Sequence, residues 1–500
     1  MLLRPQLPDL KIIGLYTGKI ITGVGLLMLL PLGTALCFGE WNAAIDFLVG
    51  MGACFVFGLA TECLCQTRHD LSWSHGLVVA SFSWLVAMAL GAVPHWLSGH
   101  FGSYLDAMFD VMSGYTTTGM FLLQDLDHVS HGLNMWRHLL TYAGGQGIVV
   151  IALTFLFPGT AGAYKVYVGD GKDERLLPNV IQTARAIWLV SLTYLAVGTL
   201  ALWVVGMWLG QGPVRGLLHA LWIFMAGWST GGFAPQSYNT FYYHSLLYEV
   251  ICAIIFIIGS GNFALHWAVW TGNRSEIRKN IEVISFSMTL TLAMLITTLG
   301  LSQLGVYSDA VMLFRKMFYQ VASGHTTTGY GTIYSRTFVR QWGPLAMLGV
   351  TLAMAIGASA CSTAGGFKGI RMGVIFKALW EDVRRMVSPE SARITVKWHH
   401  ITTRTLENST VRAAMLIVLS YVGIYSLGAL VGVYYGFDPV SALFDAVSAG
   451  SNTGLSCGVV SPAMPWPMKV VYLSEMWAGR LEFMSLFALG AYMLSFLKGK

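Results

Sequence analysis

The chain has 500 residues, of which 55% are hydrophobic and 11% are charged, and its formal net charge is +6. A water-soluble protein of this length does not need so much apolar surface, and several apolar runs reach the roughly 20 residues that span a bilayer as a helix. The composition therefore excludes a water-soluble domain and predicts an all-α integral membrane protein, with ten transmembrane helices.

Two apolar helices are predicted first along the chain, at about residues 14–38 and 42–66. The run from Ile20 to Phe38 is too long for the apolar core of a signal peptide, and no small-residue cleavage site follows it, so we expect a retained helix. Most lysines and arginines fall in alternate connections between the predicted spans. The positive-inside rule then places both termini in the cytoplasm.

After these helices one pattern occurs four times: a long apolar helix, a short amphipathic segment, a small polar stretch and a second long apolar helix. We divide the chain into the leading helices at 1–70, repeat 1 at 71–160, repeat 2 at 180–272, repeat 3 at 281–380, a cytoplasmic loop at 381–410 and repeat 4 at 411–500. The polar stretches, called filter stretches below, align without gaps: SGYTTTG (113–119), AGWSTGG (226–232), SGHTTTG (323–329) and SAGSNTG (448–454). Such a register indicates internal duplication.

Each repeat contains two full spans, so successive repeats enter the membrane from the same side and are parallel. Four parallel copies predict a pseudo-fourfold ring with the filter stretches on its axis. Each short segment is predicted to be a half-helix that begins outside. In repeat 4, Asp438 suits the N-cap and Pro439 the first turn, and repeat 3 begins similarly with Ser308 and Asp309. The negative end of each half-helix dipole then points at the membrane centre.

From there the chain must return without helical hydrogen bonds, which is tolerated only where protein or water surrounds it. Four such strands on one axis present rings of carbonyl oxygens that can replace the water shell of a monovalent cation. The alternative is that the small residues only pack helices closely, as in GxxxG contacts, but this does not explain the preceding half-helices. The predicted ion-binding residues are Thr117, Thr118, Gly119, Thr230, Gly231, Gly232, Thr327, Thr328, Gly329, Asn452, Thr453 and Gly454.

The second helix of repeat 3 contains GASACSTAGGFKG (357–369), whose glycines and small polar residues predict an unwound segment that could plug the ion path. A close-packed helix crossing is the alternative. Arg480 lies mid-span in repeat 4, where an ionisable residue is costly and is either functional or paired, with Glu475 and Glu482 as candidate partners. The predicted gate residues are Gly357, Ser359, Ser362, Thr363, Gly365, Gly366 and Arg480.

With these features the chain resembles the Trk/Ktr/HKT superfamily of potassium transporters, and most closely its TrkH-type potassium uptake subunits. The resemblance covers nearly the whole chain and includes MWRHLLTYAGGQGIVVIAL after the first filter stretch, GSGNFALHW in repeat 2 and GRLEF in the last helix. It implies four helix–pore helix–helix units, potassium as the transported ion without an organic cofactor, a gating loop at 357–369, and Arg480 beside the pore. It also implies a homodimer in a bacterial inner membrane that meets a soluble, TrkA-like nucleotide-binding ring in the cytoplasm.

The family links a serine in place of the first filter glycine with sodium passage, so Gly119 favours potassium. Repeats 2 and 4 depart from TTTG at Gly231 and Asn452, which leaves a sodium or mixed-cation symporter as the alternative function. An intramembrane enzyme would need a nucleophile with a base, or a metal cluster, within the spans, and the sequence shows neither. A scaffold subunit remains a further alternative and predicts no ion flux.

Several weaker signals carry no prediction of a cofactor or of a nucleic-acid partner. GSGNFA (259–264) formally matches a dinucleotide-binding pattern but follows a bilayer-length helix instead of a strand. The seven cysteines form no CxxC pair. We expect His325, His399 and His400 to be structural. Asp110 and Asp445, nine residues before their filter glycines, either add negative potential near the pore or cap local amides.

Overall fold

The computed structural model describes residues 5–67, 69–123, 125–147, 180–392 and 394–499. It begins with the helices α1 (Leu7–Leu27), α2 (Leu29–Cys37) and α3 (Trp41–Leu64). Helix α1 packs closely on α3, as the short distance at Gly18 shows: a Cβ built there would lie 2.8 Å from the Gly58 carbonyl oxygen. Small residues permit such close approach between membrane helices. The two predicted leading spans are confirmed, the first formed by α1 and α2 together.

The first two repeats have the predicted order of elements. Repeat 1 contains α4 (Trp73–Gly91), α5 (Val93–Leu97), α6 (Tyr104–Tyr115) and α7 (His131–Gln146). Repeat 2 contains α8 (Val180–Trp208), α9 (Pro213–Trp228), α10 (Leu246–Gly259) and α11 (Phe263–Trp270), and the last two meet at a bend of 99°. The second predicted span of repeat 1 continues into residues 148–160, which lie outside the described residues.

After α12 (Glu276–Lys279) the last two repeats follow the same order. Repeat 3 contains α13 (Ile281–Leu304), α14 (Ala310–His325), α15 (Ser335–Gln341), α16 (Gly343–Ile356) and α17 (Gly369–Met386). Repeat 4 contains α18 (Asn408–Tyr434), α19 (Pro439–Gly450), α20 (Trp466–Arg480) and α21 (Met484–Lys498). Residues 357–368, called the repeat-3 loop below, separate α16 from α17, so the predicted break in this helix is confirmed.

A two-stranded antiparallel hairpin, β1 (Lys397–His400) and β2 (Thr402–Thr405), lies within the segment 381–410 that we expected to be a loop. The segment differs at its start as well, because α17 continues to Met386. Along β1 the buried side chains are Trp398 and His400, as the alternation of a strand requires. Strands of four residues show too little periodicity to be predicted, and among the described residues this hairpin is the exception to the all-α expectation.

The short helices α6, α9, α14 and α19 begin at residues that favour helix starts. Asp438 accepts hydrogen bonds from two backbone N–H groups of α19 at 3.1 Å, and Asp309 from two of α14 at 3.2 Å. Ser103 caps α6, and Pro213 is the first residue of α9. The predicted N-cap at Asp438 is therefore confirmed, and of the two residues with which repeat 3 was expected to begin, Ser308 and Asp309, it is Asp309 that caps the helix.

Within the described residues, six helices are long and apolar enough to cross a bilayer, and the bent pairs α10–α11 and α20–α21 bring the number to eight. The other two predicted spans are α7, which runs up to the undescribed segment, and α16–α17, which the repeat-3 loop interrupts. Leucines such as Leu419 and Leu430 are 66% and 68% exposed on α18, which suits a surface in contact with lipid. The chain is a multi-pass membrane protein.

Candidate functional site

The four filter stretches share one backbone conformation. The fifth residue of each has a positive φ: 56° at Thr117, 52° at Thr230, 54° at Thr327 and 57° at Asn452. The terminal glycines also have positive φ values, from 60° to 90°. Threonine rarely adopts this conformation, so its occurrence at the same position in three repeats is imposed by a common structure.

The filter stretches meet in a closed ring. A Cβ built on each terminal glycine would collide with the carbonyl oxygen that precedes the terminal glycine of the next repeat. A Cβ on Gly119 would lie 2.5 Å from the Gly231 oxygen, and one on Gly232 would lie 2.1 Å from the Thr328 oxygen. A Cβ on Gly329 would lie 2.0 Å from the Thr453 oxygen, and one on Gly454 would lie 2.1 Å from the Thr118 oxygen. The order 1–2–3–4–1 closes on itself, and only glycine fits at these four positions without displacing backbone.

Hydroxyl groups of the filter stretches turn back toward the short helices that precede them. Thr116, Ser229 and Thr326 each donate to the backbone carbonyl four residues earlier, at 2.7, 2.7 and 2.9 Å. The same three carbonyls also accept the backbone N–H groups of these residues, at 2.8, 3.1 and 2.9 Å, so each hydroxyl adds a second hydrogen bond at the end of a short helix. The hydroxyls thus support the ends of the short helices.

The repeat-3 loop lies against the filter stretches at the end where they leave the short helices. Two residues of the loop, Thr363 and Gly365, contact one residue in each of the four filter stretches. Thr363 accepts two hydrogen bonds: its carbonyl from Thr117 Oγ1 at 3.3 Å and its Oγ1 from Thr230 Oγ1 at 3.1 Å. The Gly365 N–H donates to Thr327 Oγ1 at 2.9 Å. Gly365 also lies against repeat 4, where a Cβ built on it would come within 2.2 Å of the Ser451 carbonyl oxygen. The loop therefore touches all four filter stretches at one end of the ring.

Six of the seven predicted gate residues lie in this loop, and the seventh, Arg480, lies at the end of α20. Ser362 Oγ donates to the Ser359 carbonyl at 2.7 Å, which closes a turn within the loop. A Cβ on Gly357 would lie 2.1 Å from the Gly365 carbonyl oxygen, and Gly357 and Gly366 have φ values of 69° and 78°. The two ends of the loop thus cross closely, which explains the density of glycine there.

Arg480, at the end of α20, reaches the repeat-3 loop from repeat 4. Its Nη1 donates to the Thr363 carbonyl at 2.7 Å, and its Nη2 donates to the carbonyls of Gly144 and Gly145 at 2.6 and 3.2 Å. One guanidinium thus joins repeat 1, the loop and repeat 4 through backbone oxygens.

The two carboxylates considered as partners of this arginine have other surroundings. Glu482 forms short ion pairs with Lys368 and Arg371, at the start of α17. Glu475 is 2% exposed and lies against Gly428 of α18, where a Cβ would come within 2.1 Å of its carboxylate.

Asp110, in α6, forms a fully buried cluster that the sequence did not reveal. His95 Nε2 lies 3.0 Å and Arg137 Nε 3.1 Å from its carboxylate, and all three side chains are 0% exposed. The guanidinium also lies 4.1 Å from the centre of the Phe233 ring, next to the second filter stretch. An arginine within an apolar run is the signal that could have identified this cluster.

His325, His399 and His400, the three histidines singled out in the sequence, each lie within hydrogen-bonding distance of a polar side chain. His325 Nε2 lies 2.7 Å from Thr289 Oγ1, and His399 Nε2 lies 2.9 Å from Glu276 Oε2. Burial raises the pKa of Glu276, but hydrogen bonds from His399 and the Ile401 N–H lower it, and the net pKa is below its ordinary value.

The formal dinucleotide-binding pattern lies at the bend between α10 and α11. There Asn262 caps α11 by accepting a hydrogen bond from the Ala264 N–H at 2.7 Å. Its glycines therefore belong to a break between two helices.

Comparisons with known proteins agree with this architecture. The model of one family, TrkH, described as a cation transport protein, matches residues 45–495. An uncharacterized cation transporter of Methanocaldococcus jannaschii is 30% identical over 474 residues, which cover 95% of this chain and 94% of that protein. The Trk system potassium uptake protein TrkH of Escherichia coli K12 is 29% identical over 485 residues, covering 93% and 96%.

A solved structure is also similar. The crystal structure of the potassium transporter TrkH from Vibrio parahaemolyticus has a TM-score of 0.81 to this chain at 24% identity. The match covers 96% of this chain and 98% of that one, so the two share a fold.

Proposed function

We propose that this chain, which belongs to the TrkH family of cation transport proteins, passes dehydrated potassium through a filter of backbone carbonyls contributed by its four repeats. The observation that carries the proposal is the closed ring of glycine–carbonyl contacts. Rings of carbonyl oxygens replace the hydration shell of a monovalent cation without any side-chain charge. Relatives named as potassium uptake proteins support potassium as the transported ion. The family transports cations and is not a family of enzymes.

The two departures from the TTTG pattern are compatible with this filter. Asn452 Nδ2 donates to Thr118 Oγ1 at 3.1 Å and to the Met476 carbonyl at 2.8 Å, so its side chain points toward α20 and its neighbour in the ring. Gly231 lacks a side chain, and its carbonyl takes the same place beside Gly119 as threonine carbonyls do in the other repeats. The ring thus keeps one carbonyl per repeat, which favours potassium over the alternative of a sodium or mixed-cation symporter.

The repeat-3 loop is proposed as the gate of this pathway. Its contacts with all four filter stretches support the proposal that its backbone blocks the way by which an ion would leave the ring. The positive charge of Arg480, 2.7 Å from the Thr363 carbonyl, holds the loop there and opposes cations. We expect that Arg480→Ala raises flux about tenfold, because the loss of a charge-assisted hydrogen bond shifts the closed–open equilibrium by roughly that factor.

We propose that the chain lies in a bacterial inner membrane with both termini in the cytoplasm, forms a homodimer and binds a soluble TrkA-like nucleotide-binding ring. The hairpin within the basic segment 381–410 supplies a surface on the side proposed to be cytoplasmic. The mass of the purified particle tests the dimer, and co-purification with a co-expressed TrkA-like protein tests the ring.

Uptake of radioactive rubidium into vesicles that contain the purified protein tests the transport proposal. We expect uptake that potassium competes for and that a similar concentration of sodium does not. Rescue of cells deficient in potassium uptake at low external potassium is the cellular counterpart. Equal competition by sodium would favour the mixed-cation alternative, and no uptake at all would favour a scaffold.

A further inference from the structure

Three separate segments converge on the carboxylate of Glu282, at the start of α13. The Ala360 N–H of the repeat-3 loop donates to Oε1 at 2.6 Å. Asn262 Nδ2, at the bend between α10 and α11, donates to Oε2 at 3.3 Å. His400 Nδ1 of the hairpin lies 3.7 Å from the same Oε2. Glu282 is 1% exposed, so these contacts replace water around its charge.

The hairpin itself is docked on the ends of the membrane helices by one face. His400 Nδ1 lies 3.1 Å from Asn280 Oδ1, and His399 Nε2 lies 2.9 Å from Glu276 Oε2. Trp398 is buried in a small apolar cluster with residues of α13, α17 and α18. Every residue of β2 is exposed, so the other strand is open to a soluble partner while β1 holds to the helices.

From the hairpin a short path of contacts leads to the filter. The Glu282 carboxylate is hydrogen-bonded to Ala360 and lies 3.7 Å from His400, and Ala360 lies three residues before Thr363 in the repeat-3 loop. Thr363 contacts two filter stretches and accepts the hydrogen bond from Arg480. A carboxylate suits the junction because its two oxygens accept from the loop on one side and face the hairpin on the other.

We infer that Glu282 is a positioning residue that couples the β1–β2 hairpin to the repeat-3 loop. While the hairpin is docked, Glu282 holds Ala360 and with it the closed loop. Displacement of the hairpin by a partner weakens this hold and favours opening. The inference rests on the gate proposed above and adds to it the element through which a soluble partner acts.

The first test compares substitutions at Glu282 by rubidium flux in vesicles without any partner protein. Glu282→Ala removes the acceptor of the Ala360 N–H, and we expect flux to rise about tenfold. Glu282→Gln keeps an uncharged acceptor, so flux should fall between those of the unsubstituted protein and Glu282→Ala. No rise in either variant would overturn the inference.

Cys361, next to Ala360, reports the position of the loop directly. Alkylation of each cysteine, followed by mass spectrometry, should show faster modification of Cys361 in both variants. The buried thiols Cys54 and Cys252 serve as internal controls, because their modification would accelerate only if the fold were lost. Should Glu282→Ala fail this control, Glu282→Gln still decides the outcome.

Coupling to the hairpin is tested by combining substitutions. His400→Ala should raise flux and Cys361 alkylation in the unsubstituted protein but have no further effect in Glu282→Ala, because both act through one carboxylate. Thr405→Ala, on the exposed strand β2, is the control, and its effect should be small and independent of Glu282. Independent effects of His400→Ala and Glu282→Ala would overturn the coupling.

The variant Arg480→Ala distinguishes a failure of this inference from a failure of the proposed gate. If Arg480→Ala raises flux while the Glu282 variants change neither flux nor alkylation, Glu282 has no part in a gate that exists. If neither Arg480→Ala nor Glu282→Ala changes flux, the gate proposal itself fails.

Discussion

Asp110 in repeat 1 and Asp445 in repeat 4 occupy the same position in their repeats, yet their carboxylates bind different kinds of group. Asp110 is paired with His95 and Arg137, from helices on either side of α6. Asp445 accepts hydrogen bonds from the N–H groups of Cys457 and Val460 at 2.7 and 3.1 Å, and from Ser456 Oγ at 2.7 Å.

The two aspartates thus occupy the same position in the short helices of their repeats but have different hydrogen-bond partners. In repeat 1 the aspartate ties the short helix to charged side chains, and in repeat 4 it secures the chain that leaves the filter stretch. Of the two roles considered from sequence, the capping of local amides applies to Asp445. Asp110 forms an ion pair that neither role describes.

Removal of Arg137 should have the largest effect. Arg137→Met leaves Asp110 buried without a cation, and we expect a loss of about 3–5 kcal/mol in stability. Thermal unfolding of the purified protein measures it. Arg215→Met, which removes an exposed arginine bonded to the Tyr242 hydroxyl, is the control, and equal losses in the two variants would contradict the importance of burial.

The equivalent substitutions Asp110→Asn and Asp445→Asn sharpen the contrast directly. Asp110→Asn leaves the Arg137 charge buried, and we expect it to cost about 3 kcal/mol. Asp445→Asn strands no cation, but it keeps only one acceptor oxygen, so its amide nitrogen faces either the Cys457 N–H or the Val460 N–H, and about 1–2 kcal/mol is expected. The same unfolding assay applies, and a larger loss for Asp445→Asn would reverse our interpretation.

At the filter glycines, in contrast, repeats 1 and 4 should behave alike. A side chain at Gly119 meets the Gly231 carbonyl and one at Gly454 meets the Thr118 carbonyl, so both serine variants disturb the same ring. We expect Gly119→Ser and Gly454→Ser each to lower the preference for potassium over sodium by about tenfold, or ~1.4 kcal/mol. Competition by sodium in rubidium uptake measures this.

Gly423→Ser is the control for these variants, since a Cβ there meets no atom within 4 Å. An unchanged preference in Gly454→Ser, with a reduced one in Gly119→Ser, would mean that the repeats are not equivalent at the filter.

The smallest expected effect concerns a single bond of Asp445. Ser456→Ala removes one donor to Asp445 and the acceptor of the exposed Gly458 N–H, which water can replace, and it leaves the two amide donors in place, so we expect a loss of about 1 kcal/mol or less. Ser474→Ala, on the exposed side of α20, should change the unfolding temperature less. A loss as large as that of Asp445→Asn would assign the whole effect to the hydroxyl.

Features that depend on local residue patterns were predictable. The N-caps at Asp309 and Asp438 follow from side chains that accept from nearby amides. The break at 357–368 follows from the density of glycine. The filter stretches were found because the same seven-residue pattern occurs four times. The ion-binding and gating roles of these residues stay predictions until flux is measured.

Other features were beyond the sequence for physical reasons. The hairpin is stabilised by burial of Trp398 against helices far away in the chain, and its short strands have no pattern of their own. Arg480 binds backbone carbonyls, which every residue possesses, so no residue type marks its partners. Glu282 lies at a helix start, where a carboxylate is common, so its residue type alone does not mark its contacts with the loop and the hairpin.

The amino-acid sequence by itself determined that this is a membrane protein of four parallel repeats, each with a short helix and a filter stretch. The reason is that the length of an apolar run, the residue that caps a helix and the repetition of a pattern are each visible in a short stretch of sequence. Only the tertiary structure decided the order of the ring, the partners of Asp110, Asp445 and Arg480, and the path from the hairpin to the loop. These contacts join residues that are distant along the chain, and many of them use backbone atoms, whose positions follow from packing and not from residue identity.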